Sequence, residues 1–140
     1  EAIRSAMQAN RRLKVRIILA PPYWSGAEAE RETLEGLEAY GLLEGRQVRF
    51  LNPSFFVHCH NKLLIVDRKH VLISSQNWSD AAVSKNREAG LLLESSQLAR
   101  YYARLFTLDW ETGLRSLDAF QLSAPGENSV LGSLGDYVEV

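Results

Sequence analysis

Apolar positions along this chain fall into two rhythms. Ile3, Ala6 and Met7 recur at helical spacing, and Lys14-Val-Arg-Ile-Ile-Leu19 then reads as a buried strand. Ala20-Pro21-Pro22 ends that strand, because proline lacks the N–H a ladder needs. Ser25 with Glu28 has the form of a capping box, Leu34, Leu37 and Tyr40 share a helical face, and Gly41 is a natural stop. Val48 to Leu51 predicts a short second strand, and Asn52-Pro53-Ser54 a turn. Phe56 to His60 and Leu63 to Val66 read as one long apolar strand or two closely joined ones. Asp67-Arg-Lys-His70 is then a tight connection into a strand from Val71 to Ser74. Gln76 to Lys85 is polar and predicts a loop with one helical turn. Ala89 to Leu93 predicts another strand, and Leu98, Tyr102, Leu105 and Phe106 mark a helix running into Asp109-Trp110. Strands without alternation, interleaved with helices, predict an α/β fold: a mixed, largely parallel central sheet flanked by helices.

After Gly113 the pattern weakens into Ser, Gly and Pro with scattered Leu and Val. Residues 1–112 therefore read as one domain and 113–140 as a C-terminal tail or linker, and no internal repeat is visible. Hydrophobic residues make up 46% of the chain, which suffices for a real core. The formal charge of −1 shows no broad nucleic-acid footprint, although a local cationic cleft is compatible with it. No apolar run reaches the length of a transmembrane segment. The chain opens on Glu1 rather than Met, so an excised domain, a mature form and one part of a longer protein all stay open.

Chemistry concentrates in His58-Cys-His-Asn-Lys-Leu-Leu-Ile-Val-Asp67. On a strand, His60 and Lys62 would point the same way, placing an imidazole beside a fixed positive charge. That pair suits attack on a phosphate ester, or protonation of one. The diester is anionic and repels nucleophiles, so a site needs cations, a nucleophile and a general acid. Imidazole titrates near neutrality and can fill either of the last two roles. Lys62 lies inside an apolar run, where a cation without an anionic partner is costly. Cys59, the only cysteine, reads as a small buried apolar residue and allows no internal disulfide. His58 can share the face of His60, but no third ligand completes a metal site. His70 lies in the basic turn Arg68-Lys69-His70 and is expected in solvent. Tyr23, Trp24, Phe55 and Phe56 either line a substrate mouth or simply pack.

The His-x-Lys-x-x-x-x-Asp spacing resembles the phospholipase D superfamily of phosphodiesterases. The similarity continues through Ser74-Ser75-Gln76-Asn77, through Asn86-Arg87-Glu88, and into Phe106-Thr-Leu-Asp109-Trp110, so it covers residues 1 to about 112 in order. One position departs: the family usually has Gly where this chain has Ser74. The resemblance implies a phospholipase D-like half-domain in which His60 either attacks phosphorus, forming a phosphohistidine, or protonates the leaving oxygen. Lys62 would neutralise a non-bridging oxygen, Asn77 would add an amide donor, and Ser75 a hydroxyl. Glu88 would orient His60 as the carboxylate of a catalytic triad does. Asp67 would have a mainly structural role, holding the motif by hydrogen bonds. No metal and no cofactor is implied.

One His cannot easily attack phosphorus and also protonate the opposite leaving group. The second motif must come from a homodimer partner or from the rest of a longer chain. The expected activity is metal-independent hydrolysis or transphosphatidylation of phospholipids. A nuclease is the near alternative, and its mark would be a basic groove beside His60 built from Arg68, Lys69, Lys85 or Arg87. A non-catalytic dimerisation or binding half-domain is the third reading.

Overall fold

The computed structural model describes residues 1–21, 26–56, 59–112 and 136–139. The elements are α1 (Ala2–Ala9), β1 (Arg16–Leu19), α2 (Gly26–Glu38), β2 (Val48–Phe50), β3 (Lys62–Val66), β4 (His70–Ser74), α3 (Asp80–Ser84), β5 (Gly90–Glu94), α4 (Ser96–Thr112) and β6 (Asp136–Glu139). The strands form a six-stranded sheet in the order β2-β1-β6-β3-β4-β5. Four residues of the segment read as tail or linker thus stand in the middle of that sheet.

The sheet is mixed, but it is not largely parallel. β1 with β2 and β3 with β6 are parallel, whereas β1 with β6, β3 with β4 and β4 with β5 are antiparallel. The cause lies in the connections. β3 reaches β4 through a turn centred on Asp67 and Arg68, closed by Lys69 N–H donating to the Val66 carbonyl at 3.0 Å. So short a link permits only antiparallel neighbours. Both turn residues are left-handed, with φ of 53° and 51°, the backbone of a primed hairpin turn.

Of the one long strand, or two closely joined ones, expected from Phe56 to Val66, β3 forms from Lys62. Residues 59–61 before it are irregular, and 57–58 lie outside the described residues. Lys62 is 2% exposed, and its Nζ donates to the His60 carbonyl at 3.0 Å. A buried ammonium has to find acceptors, and using this carbonyl takes it away from a ladder.

Alternation in the strands builds two apolar layers. Ile18 of β1, Leu63 and Ile65 of β3 and Val71 of β4 meet Ala99, Ala103 and Phe106 of α4. The two alanines let the helix approach the sheet closely, and Phe106, fully buried, fills the remaining space. On the other face Ile17 and Val48 pack with Leu34 and Leu37 of α2 and with Ile3 and Met7 of α1. Helix α2 stops where expected: Gly41 has φ of 78°, and its N–H and that of Leu42 return to the carbonyls of Glu38 and Leu37. Ser25, its proposed cap, lies outside the described residues.

The end of α4 is pinned to the sheet by charge and ring contacts. Trp110 stacks on Phe106 at 5.8 Å, the guanidinium groups of Arg16 and Arg49 each lie 5.5 Å from its ring, and Arg49 donates to its carbonyl. The Asp109-Trp110 ending is therefore an anchor for the helix.

Candidate active site

Register brings Lys62, Ser74 and Gly90 side by side, where β3 begins, β4 ends and β5 begins. The segments just beyond carry the other candidates. Ser75 follows β4 and Glu88 precedes β5, and the two strands hold them together: Ser75 N–H donates to the Ala89 carbonyl at 3.0 Å, and Ala89 N–H donates to Ser75 Oγ at 3.1 Å. Ser75 Oγ in turn donates to Glu88 Oε2 at 2.6 Å, while Asn86 Nδ2 donates to Glu88 Oε1 at 2.9 Å. Both carboxylate oxygens are thus fixed.

These hydrogen bonds, Ser75 first and then Asn86, hold the Glu88 carboxyl below the ordinary glutamate range against a smaller opposing effect of desolvation. The positive charges of Lys62 and His60 lower it further. His60 is exposed and sits just ahead of β3, whereas Lys62 is buried. The carboxylate therefore shares one electrostatic neighbourhood with the imidazole and the ammonium. The Glu88 oxygens are engaged by Ser75 and Asn86, and His60 reaches Glu88 through charge.

Asn77 lies past the end of β4, beyond Ser74 and Ser75. Its Oδ1 is buried with no hydrogen-bond partner among the described residues, an arrangement that costs about 1–3 kcal/mol. Trp78 beyond it is half exposed, and Ser79 caps the short helix α3 by accepting from Ala82 N–H at 3.3 Å.

The remaining sequence candidates separate cleanly. Cys59 is buried. His58, Tyr23 and Trp24 lie outside the described residues, so the proposed His58–His60 pair cannot be placed. Phe56 packs against the α4 core layer, and Phe55 is exposed. His70 opens β4 at the far end of the sheet, 4.0 Å from the Glu94 carboxylate. Four strand steps, about 13 Å, separate it from Ser74, so it does not supply a second imidazole here. Asp67 is exposed in the left-handed turn at that same far end, and its side chain forms no hydrogen bond among the described residues. Arg68 and Lys69 are there too, with Lys69 paired to Glu94 at 2.9 Å. Of the four cations suggested for a basic groove, only Lys85 and Arg87 stand at the end of the sheet that carries Lys62, both exposed. Among the described residues no three His, Cys, Asp or Glu side chains form a metal-binding group.

Two contributors went unnoticed in the sequence. Asn86 was read only as the opening of Asn-x-Glu, yet it holds the carboxylate two residues on. Ser74, the one position that departs from the pattern, has its Oγ accepting from Gln76 N–H at 3.0 Å and 3.4 Å from the Ala89 carbonyl. A small residue facing a glycine across two antiparallel strands is the signal that could have found it.

Residues 1–110 match the family described as cardiolipin synthase, PLD-like domain. The mitochondrial cardiolipin hydrolase of Mus musculus is 31% identical over 71 residues, 51% of this chain and 32% of that protein. The Homo sapiens protein of the same name is 33% identical over 71 residues, 51% of this chain and 28% of its own length. A phospholipase D of Rickettsia typhi is 44% identical over 43 residues, 31% of this chain and 21% of that protein. The matched stretch is thus about a third or less of each of these relatives. With the family match running through β1 to α4, the chain belongs to the phospholipase D-like domain family of the cardiolipin synthase type.

Proposed function

We propose that this chain is one catalytic half of a metal-independent phospholipid phosphodiesterase, with His60 at the reacting phosphorus. One observation carries the reading: Glu88, locked by Ser75 and Asn86, lies within electrostatic reach of both Lys62 and His60. A buried cation, an exposed imidazole and a fixed carboxylate at one sheet end are what phosphoryl transfer needs. The names of the relatives, cardiolipin hydrolase and phospholipase D, favour a phospholipid as the substrate.

In the proposed reaction a ring nitrogen of His60 bonds to phosphorus as the P–O bond to the leaving alcohol breaks. The leaving oxygen takes its proton from a second imidazole across the site. Water, or an alcohol in the transfer reaction, then attacks phosphorus, gives its proton to that second imidazole, and releases His60. Lys62 neutralises charge on a non-bridging oxygen, and its burial makes that contact strong. Ser75 and Asn77 complete the phosphate cradle, Ser75 by holding Glu88 and Asn77 by donating from its side-chain Nδ2. Asp67 serves the motif as the residue that ends β3 and tolerates the left-handed turn.

The second imidazole comes from a homodimer partner or from the rest of a longer protein; His70 is at the wrong end of β4. A nuclease is the less favoured reading, because Arg68 and Lys69 stand away from Lys62.

The test is hydrolysis of mixed vesicles containing an anionic phospholipid, with chelator present, beside single- and double-stranded DNA, together with the mass of the protein in solution. Lipid cleavage by a dimer, abolished in His60→Ala, supports the reading. A requirement for metal, cleavage of DNA alone, or a dimer of this chain that turns over nothing overturns it.

A further inference from the structure

The end of the sheet opposite the candidate active site holds a cavity of about 780 Å³. It lies where β1 and β2 begin and β3 ends, and Lys14, Arg16, Arg46, Gln47, Asp67 and Arg68 contribute its polar lining. Arg16 is committed elsewhere, lying over the rings of Phe106 and Trp110 at 5.1 Å and 5.5 Å. Among the described residues, the side chains of Lys14, Arg46 and Arg68 form no hydrogen bond or ion pair, and Asp67 is the one acid of the lining. Among the described lining residues, Lys14, Arg46 and Arg68 thus outnumber the one acid around this concavity.

A second observation points the same way. Arg68 occupies the second left-handed position of the β3–β4 turn, with φ of 51°. Glycine is the favoured residue there, and a long side chain is strained. Strain of this kind is retained where the side chain has a use. From this turn Arg68 lines the cavity together with Arg46.

We propose that this cavity is a second anion site, distinct from the His60 site, for a ligand carrying a doubly charged phosphate group. Arginine forks match phosphate geometry, and Lys14 adds a point charge. The volume suits a small molecule, whereas an extended strip would suit a nucleic-acid duplex. About five strand steps, roughly 16 Å, separate Lys62 from Asp67, so one small ligand does not span both sites. The inference stands whether or not the catalytic reading holds.

The experiment titrates the full chain with inorganic pyrophosphate and follows the backbone amide resonances of Arg46, Gln47 and Arg68. It is run on the unaltered chain, on His60→Ala, and on Arg46→Gln with Arg68→Asn, asparagine being chosen because it tolerates the left-handed turn. The expected result is saturable binding that survives His60→Ala and weakens about tenfold or more in the double variant. Vesicles of phosphatidylcholine with and without phosphatidic acid separate the two sources of such a phosphate. Flotation with phosphatidic acid vesicles, lost in the double variant, assigns a lipid headgroup; pyrophosphate binding without flotation assigns a free phosphate compound. Shifts that never saturate, or binding by both probes that is indifferent to the double variant, overturn the proposal.

Discussion

Ser74 and Gly90 face each other across β4 and β5, and each has its size because of the other. A Cβ placed on Gly90 would lie 3.0 Å from Ser74 Oγ, 3.1 Å from Ser74 Cβ and 3.3 Å from the Ile73 carbonyl. The space that Ser74 takes is the space that Gly90 leaves. The Ser74 hydroxyl uses that position to accept from Gln76 N–H, which sets the path toward Asn77.

Gly90→Ala is therefore expected to destabilise the fold by about 1–3 kcal/mol, and Ser74→Gly in the same chain to recover most of that loss. Urea unfolding of the two single variants and the double variant measures the coupling. Additive effects would show that the two positions do not share space.

Ser75→Ala removes the strongest influence holding Glu88 in its charged form, so the Glu88 titration midpoint should rise. The sign for stability follows from the lowered carboxyl. Its contribution is complete above the ordinary glutamate range and is lost as pH falls through the lower folded value. In Ser75→Ala the Glu88 contribution is smaller, and its loss is complete at a higher pH. Carbon-detected titration of the Glu88 carboxyl checks the shift, and an unchanged midpoint would remove Ser75 from the account.

Lys62→Met separates folding from chemistry. A buried ammonium costs more than a thioether in the same space, so thermal stability should hold or rise by about 1 kcal/mol. Turnover should fall by roughly 10²–10³ if the charge meets the reacting phosphate. A variant that loses activity only because it unfolds would contradict this.

Asp67→Asn should be close to neutral in stability, because both residues tolerate the left-handed turn. Asp67→Val should cost about 1–2 kcal/mol or more. Arg68→Gly should stabilise the hairpin by about 1 kcal/mol. Thermal unfolding of the three variants gives the order. An Asn variant as damaged as Val would mean that the carboxylate itself matters, and not the backbone it permits.

The elements flanking the site were legible in the sequence. The helix through Leu34 and Leu37 and the α4 stripe through Phe106 announce themselves by spacing, and Gly41 marks its stop. His60, Lys62 and Glu88 stand out in the sequence because phosphate chemistry needs uncommon residues at fixed intervals, and the fold brings Lys62 and Glu88 to one end of the sheet. Three things were not legible. Hydrophobicity could not show that Lys62 would bend to the His60 carbonyl and delay the strand. It could not give strand direction, which follows from the left-handed turn at Asp67 and Arg68. Nor could a linear pattern reveal that residues 136–139, two apolar residues between two acids, pair between β1 and β3. Side-chain pairs such as Asn86 with Glu88 depend on a loop path that no periodicity encodes.

The central claim is that His60 bonds to phosphorus during turnover. The direct measurement is alkaline quench of the chain with an aryl phosphodiester and chelator present, followed by mass spectrometry of the peptide carrying His60. The account predicts the mass of the phosphoryl fragment on His60 in the unaltered chain, and neither adduct nor turnover in His60→Ala. Substrate consumed with His60 unmodified, or turnover persisting in His60→Ala, would contradict it.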